Sequence, residues 1–280
     1  MKVHLLDGTF ELFRAYYGRR DSMVDASGMD VTAAVGVLDT TLSLLAEDGV
    51  THVAASFDTV IESFRNEMFA GYKSSAGMPE DLLIQFPIVE DLLEAAGIVV
   101  WRNIEFEADD ALAAAALRWM GDVEQVVICS PDKDLCQCVV GDQVVTYDRM
   151  RRVIRNEDAV REKFGIAPES IPDYLGLVGD TADGVPGLPG WGAKSASTVL
   201  ARWGRIEMIP PDPDLWEVKV RSAAKLAATL NEMAEEAALY RALTILRRDV
   251  PIAEELEDLH WKGFPNQGDR DSVLAAFGIT

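Results

Sequence analysis

Nine carboxylates in this chain have the type and placement to act together: Asp7, Asp58, Glu107, Asp109, Asp110, Asp132, Asp134, Asp180 and Asp183. So many acids cannot share a small volume unpaired, because like charges repel and raise one another's pKa. Few basic residues stand near them in sequence, so divalent cations are the economical partners. Oxygen-only ligands select Mg²⁺ or Mn²⁺ over Zn²⁺. Two such ions about 3.5–4 Å apart form the usual arrangement for phosphodiester cleavage, one activating water and the other stabilising the leaving oxygen. Neither role needs a protein nucleophile, which agrees with a sequence that offers no Ser/His/Asp or Cys/His constellation.

The densest stretch is Gly179–Lys194. Asp180 and Asp183 are three apart, which places both on one side of a helical turn. Gly184, Gly187, Gly190 and Gly192 follow, punctuated by Pro186 and Pro189, and lead to Lys194 and a helix. Glycine allows close approach of backbone to a ligand, and amides at a helix N-terminus bind anions such as phosphate. The plainer reading is a Pro/Gly turn between two helices with two solvated aspartates. Taken alone, the stretch fits both.

The elements that must position these acids alternate between strand and helix. Lys2–Leu6 reads as a strand ending at Asp7-Gly8, where Asp7 is either a turn residue or a ligand at a sheet edge, and a helix runs on to about Tyr17. Gly18–Asp30 is loop-like and carries Arg19 and Arg20; Val31–Ala46 is helical. His52–Phe57 is a second strand with Asp58 at its end. Ile61–Met78 mixes Arg65, Tyr72 and Lys73 with Phe64, Met68 and Phe69, which suits a core helix or a mobile element over a phosphate backbone equally. Asp81–Ala96 has the spacing of one amphipathic helix, and Gly97–Trp101 of a third strand.

Glu105 to Asp110 then opens the Ala-rich helix Ala111–Trp119. Acids in a first turn commonly cap a helix and favour its dipole. Capping uses one or two carboxylates, and here there are four. Gln125–Cys129 is a strand that runs into Asp132-Lys133-Asp134, where Asp132 is also a plausible N-cap. Gln143–Tyr147 and Arg152–Ile154 form a further β pair. From Glu157 the chain turns helical, over Glu157–Phe164, Ile171–Val178, Ala193–Arg202 and Lys219–Arg248. Strands alternating with helices imply an α/β fold with a largely parallel sheet whose strand ends meet at one edge.

Composition sets the bounds. Among 280 residues 49% are apolar and 26% charged, which a folded globular protein shows. The net charge of −21 is the reverse of a generic nucleic-acid binder. Acids gathered around cations would reverse that balance locally. Two divalent ions remove only four of those charges, so contact with a polyanion must rest on local cations such as Arg65, Lys73, Lys133 and Lys194. Cys129, Cys136 and Cys138 give an odd count without framework spacing, and no second Cys/His pair completes a zinc site, so reduced thiols in a cytoplasmic protein are expected. Asp7 interrupts the first apolar run, and no run approaches the ~18 residues of a membrane span.

Seven motifs in order carry a resemblance: Asp7-Gly8, Phe57-Asp58, Phe64-Arg65, Tyr72-Lys73, Glu107-Ala108-Asp109-Asp110, Pro131-Asp132-Lys133-Asp134, and Gly179-Asp180 through Asp183 to Lys194. From residue 2 to about 250 the chain resembles the flap endonuclease/5′–3′ exonuclease family in its bacterial form. The resemblance implies a PIN-like nuclease domain over 1–165, its mostly parallel sheet flanked by helices, with a helical arch at about 61–79. A helical DNA-binding domain over 166–280 would follow, with a helix–three-turn–helix element at 179–202. By resemblance, Asp7, Asp58, Glu107, Asp109 and Asp132 bind one metal or bridge towards a second. Asp134, Asp180 and Asp183 surround the other, with Asp110 in support. Lys73 contacts the scissile phosphate from the arch, as a point-charge lysine suits. Arg65, Arg19 or Arg20 would supply a second clamp, since the arch motif continues with Ser74, Ser75 and Ala76 where relatives commonly have an arginine. Tyr72, Lys133, Gly187, Gly190, Gly192 and Lys194 fall to DNA contact, and the Gly-rich loop in relatives often holds K⁺ through carbonyls.

The implied activity is two-metal, Mg²⁺- or Mn²⁺-dependent hydrolysis of DNA at 5′ flaps, nicks or 5′ ends, with RNA–DNA hybrids as further substrates, in replication or repair. A free-standing, monomeric, cytoplasmic nuclease is expected. A PIN-type ribonuclease would need fewer acids and no second helical domain. A non-catalytic junction binder would have lost acids, and this chain keeps all nine. An inert acidic scaffold would bind neither DNA nor Mn²⁺.

Overall fold

Val3, Leu5 and Leu6 are wholly buried and, with the buried His4, form the middle of the first strand. In the computed structural model, which describes residues 1–18 and 21–279, the chain begins with β1 (Lys2–Asp7), α1 (Gly8–Tyr17), α2 (Thr32–Leu45), β2 (Val50–Asp58) and α3 (Phe64–Met68). It continues through α4 (Glu80–Leu83), α5 (Gln85–Ala95), β3 (Val99–Asn103), α6 (Ala108–Trp119) and β4 (Gln125–Cys129). After a 3₁₀ turn at Asp134–Cys138 come β5 (Val144–Asp148), β6 (Val153–Arg155), α7 (Glu157–Phe164), α8 (Ile171–Val178) and α9 (Ala193–Trp203). The chain closes with α10 (Ala223–Glu232), α11 (Ala234–Thr244) and α12 (Arg270–Ala276). No helix among the described residues is long and apolar enough to cross a membrane.

Contacts divide the chain into two units. The first comprises Met1–Ile61, Ser75–Ser130 and Arg247–Thr280. Its four strands are all parallel in the order β3-β2-β1-β4. Parallel strands buried on both faces read as near-continuous apolar runs, and β1, β2 and β4 are mostly apolar, with His4, His52 and Ser56 the buried exceptions short of the terminal acids. Helix α6 packs on all four strands. Its alanines from Ala111 to Ala116 are at most 5% exposed, and side chains that small let a helix lie close on a sheet. Parallel register puts Asp7 opposite Ser56 and Asp58 opposite Asn103, so both acids stand at the carboxyl edge, where open α/β sheets bind ligands.

The second unit comprises Glu62–Ser74 and Pro131–Leu246. It holds the antiparallel β5–β6 pair and the helices α3 and α7–α11. Their core gathers Leu175, Leu177, Trp191, Val199, Trp216, Leu226 and Leu243. Trp216 is fully buried, with its indole N–H donating to Pro210 O at 2.7 Å.

Three expectations change. One helix over Asp81–Ala96 becomes α4 and α5, parted at Ile84. Pro87 stands in the first turn of α5, where its missing N–H costs nothing, whereas one unbroken helix would leave the carbonyl one turn earlier without a donor. The long helix over Lys219–Arg248 becomes α10 and α11, parted at Met233, and its expected first turn is non-helical. The arch segment 61–79 keeps only α3 as helix, followed by turns. By contacts the chain interleaves, with 62–74 and 131–165 grouped with the helices that follow and 247–279 with the sheet.

Candidate active site

In the first unit the acids sit where strand ends meet helix starts. Asp7 is 4% exposed and caps α1, accepting from Phe10 N at 2.8 Å and from Ser130 Oγ at 2.7 Å. Asp58, also buried, accepts from Ala108 N at 2.6 Å, which ties the end of β2 to the start of α6. Glu107 is the buried N-cap of α6, and Asp109 in the first turn is half-buried. Asp110 is completely buried, accepting from Glu107 N at 3.0 Å and from Arg247 N at 2.8 Å with its two oxygens. Its oxygens tie the α6 N-terminus, and with it Glu107, to the returning chain. The capping explanation of the acidic run holds for this member.

In the second unit three acids converge. Asp134, Asp180 and Asp183 each offer an oxygen within 4.8 Å of the other two, the one such group among the described residues. Asp134 opens the 3₁₀ turn, and its N–H donates to the exposed Asp132 at 2.8 Å. Asp180 follows α8 and exchanges two 2.8 Å backbone bonds with Val185, folding residues 180–185 into a closed turn that carries Asp183. The buried Oδ1 of Asp134 accepts no hydrogen bond. Burial first, then the charges of Asp132, Asp183 and Asp180, push the Asp134 carboxyl well above the usual carboxylate range. An all-oxygen group with an unsatisfied buried acceptor fits a hard divalent cation.

Two lysines face this trio. The Lys133 ammonium donates to Asp180 and lies 3.9 Å from Asp134. Burial opposes its charge, yet the bond to Asp180 and the nearby carboxylates carry its pKa above the ordinary lysine value. Lys133, expected among the DNA contacts, is directed at the acids instead. Lys73 Nζ stands 3.4 Å from Asp183 Oδ1.

The glycine-rich loop is set by backbone crowding. A Cβ on Gly187 would fall 2.4 Å from Gly179 N, and Gly187 has φ +69°, so no other residue keeps this turn. Leu188 N donates to Leu177 O at 2.8 Å, and Trp191 is buried with its indole N–H on Leu226 O at 3.2 Å. The loop delivers exposed Gly190 and half-buried Gly192 to the N-terminus of α9, with Lys194 exposed in its first turn. This agrees with an anion-facing helix start.

Two expected cations or contacts are corrected. Arg65 is 1% exposed, with Nε on Leu243 O at 2.8 Å and Nη2 on Ile245 O at 2.9 Å, so it braces α3 against the end of α11 instead of clamping phosphate. Tyr72 is 6% exposed within the second unit's core, so its ring packs instead of meeting DNA. Arg19 and Arg20 lie outside the described residues. Sequence reasoning passed over Ser130, which donates to Asp7, and Asn66, whose amide holds Lys73 O at 2.9 Å. The Ser63-x-x-Asn66 spacing was a signal for the latter, being that of a capping box.

Known proteins share this architecture. Residues 2–165 match the family model for the 5′-3′ exonuclease N-terminal resolvase-like domain, and 166–267 that for the 5′-3′ exonuclease C-terminal SAM fold. A 5′-3′ exonuclease of Aquifex aeolicus is 31% identical over 93% of this chain and 86% of its own length. DNA polymerase I of Bacillus caldotenax is 34% identical over 99% of this chain, which spans only 31% of that protein. In structure, a bacteriophage T5 flap endonuclease, solved as a pseudo-enzyme-product complex with DNA and metal ions, aligns with a TM-score of 0.69 at 20% identity, over 88% of this chain and 89% of the other.

Proposed function

The chain belongs to the 5′-3′ exonuclease family, and from that premise we propose that it is a divalent-metal-dependent 5′ nuclease hydrolysing DNA at 5′ flaps, nicks and 5′ ends. The observation that carries this reading is the Asp134–Asp180–Asp183 group with its unsatisfied buried oxygen. These three would hold one Mg²⁺ or Mn²⁺ ion; in the first unit Asp7, Asp58, Glu107 and Asp109 are proposed for a second. When bound, such ions supply Lewis acidity to a phosphodiester and acidify attacking water.

The chain's own side chains supply the rest. Lys73 directs a compact cation at the phosphate. Lys194 and the amides at the start of α9 receive the duplex backbone, with Gly190 and Gly192 allowing close approach. K⁺ at the 184–192 carbonyls, action on RNA–DNA hybrids, a monomeric state, and a cytoplasmic place in replication or repair belong to the same proposal. The test is cleavage of a 5′-labelled flap DNA with Mg²⁺, with EDTA as control. Preferential cleavage of the matched RNA flap would favour the PIN-type ribonuclease, and DNA binding without cleavage a junction binder.

A further inference from the structure

Lys73 owes its position to backbone contacts. Its N–H donates to Asp183 O at 2.9 Å, and Asn66 Nδ2 donates to its carbonyl at 2.9 Å. Asn66 is itself fixed, since its Oδ1 accepts from Ser63 N at 2.8 Å in the cap of α3. Arg65 bolts that short helix to the carbonyls of Leu243 and Ile245. Tyr72 buries its ring in the core, and Tyr72 N donates to Phe69 O at 3.0 Å. Residues 71–73 thus form a strap lying on the Asp183–Gly184 turn.

The strap fits because residue 184 has no side chain. A Cβ on Gly184 would stand 2.3 Å from Gly71 O, a contact that backbone cannot accommodate without moving. Lifting Gly71 would also lift Lys73, two residues on, and break its bond to Asp183 O. We propose that Gly184 is a positioning residue: it admits the 71–73 strap so that the Lys73 ammonium is held at Asp183, beside the three converging carboxylates. This rests on the reading of Lys73 as the phosphate contact. It deepens that reading by naming what places the lysine in a chain whose Arg65 is otherwise engaged.

Gly184 also has φ +74°, so a substitution brings strain as well as collision, and Gly165→Ala separates the two. Gly165 has φ +72°, but a Cβ there meets Ser197 Cβ at an ordinary 3.5 Å. Gly184→Ala is expected to lower the single-turnover rate of flap cleavage at saturating DNA about a hundredfold, the usual cost of a misplaced reacting group. Mn²⁺ affinity, read by calorimetry without DNA, does not fall, because Asp134, Asp180 and Asp183 all keep their carboxylates. Gly165→Ala lowers Tm and leaves the rate alone. Lys73→Ala loses as much rate as Gly184→Ala, and the double variant loses no more than either, as coupled residues do.

A readout independent of turnover is acylation of Lys73 by an amine reagent, followed by mass spectrometry. It rises severalfold in Gly184→Ala and not in Gly165→Ala. If Gly184→Ala does not fold, Asn66→Ala frees the Lys73 carbonyl and should show the same pattern with a smaller loss. Full rate in the variant, additive losses, or unchanged acylation would overturn the role of Gly184. Full turnover in Lys73→Ala would instead remove the reading of the lysine on which it stands.

Discussion

Asp7, Asp58 and Asp110 in the first unit accept hydrogen bonds from Phe10 N, Ala108 N, Glu107 N and Arg247 N, so backbone donors offset their burial. In the second unit Asp134, Asp180 and Asp183 turn oxygens towards one another, and Asp134 Oδ1 lacks a hydrogen bond altogether. Both regions bury acids, yet the first uses its own as joints between strands and helices. The second leaves a deficit of positive charge that Lys73 and Lys133 meet from one side each. Acids of the first kind join strands to helices, whereas the second kind burdens folding with mutual repulsion.

That contrast can be broken at its sharp end. Asp134→Asn should lower flap cleavage about a thousandfold, the scale of losing a central electrostatic element. It should also raise Tm in EDTA, because it removes one of three repelling charges. A variant both active and less stable would erase the distinction. Asp110→Ala should behave in the opposite way. With Glu107 N and Arg247 N left buried and unbonded, unfolding free energy in urea should fall by about 3 kcal/mol, while Mn²⁺ affinity at the Asp134 group, measured by calorimetry, holds.

Next in size comes the effect of metal itself. Mg²⁺ at a hundred times its Kd should stabilise the wild type by about 2.7 kcal/mol for each site filled in a thermal melt, and the share owed to the Asp134 group should vanish in Asp134→Asn but survive in Asp110→Ala. The smallest effect concerns Cys136, fully buried near Asp132, whose thiol burial pushes up to about 11. A thiol reagent at neutral pH should leave it unlabelled in native protein, with or without Mg²⁺, and label it on unfolding.

The sheet and its acidic edge were legible because strands β1, β2 and β4 are short, largely apolar runs that end in or lead to carboxylate. The glycine loop was legible as a turn leading into a helix, because its glycines and prolines exclude regular structure. Arg65 was not. An arginine beside a phenylalanine reads as an exposed clamp, and nothing local says that two carbonyls at the end of α11 need its donors. Tyr72 misled for the same reason, since an aromatic beside a lysine looks alike whether it stacks on a base or fills a core. Pro87 did announce the break before α5, but the amphipathic pattern on either side outweighed it. Lys133 reads as an ordinary cation until Asp180, 47 residues on, folds against it.

The bond from Arg65 to Leu243 spans 178 residues, and it closes a unit whose first piece, Glu62–Ser74, is made long before its last. On a ribosome adding about 5–20 residues per second, the guanidinium waits on the order of ten seconds or more for its acceptors to emerge. Through that interval α3 is a five-residue helix without its brace, too short to persist alone. The strap that seats Lys73 therefore forms late in biosynthesis, after Leu243 and Ile245 have left the exit tunnel. A nascent chain stalled before that point would carry every acid of the Asp134 group and yet have no fixed place for its lysine.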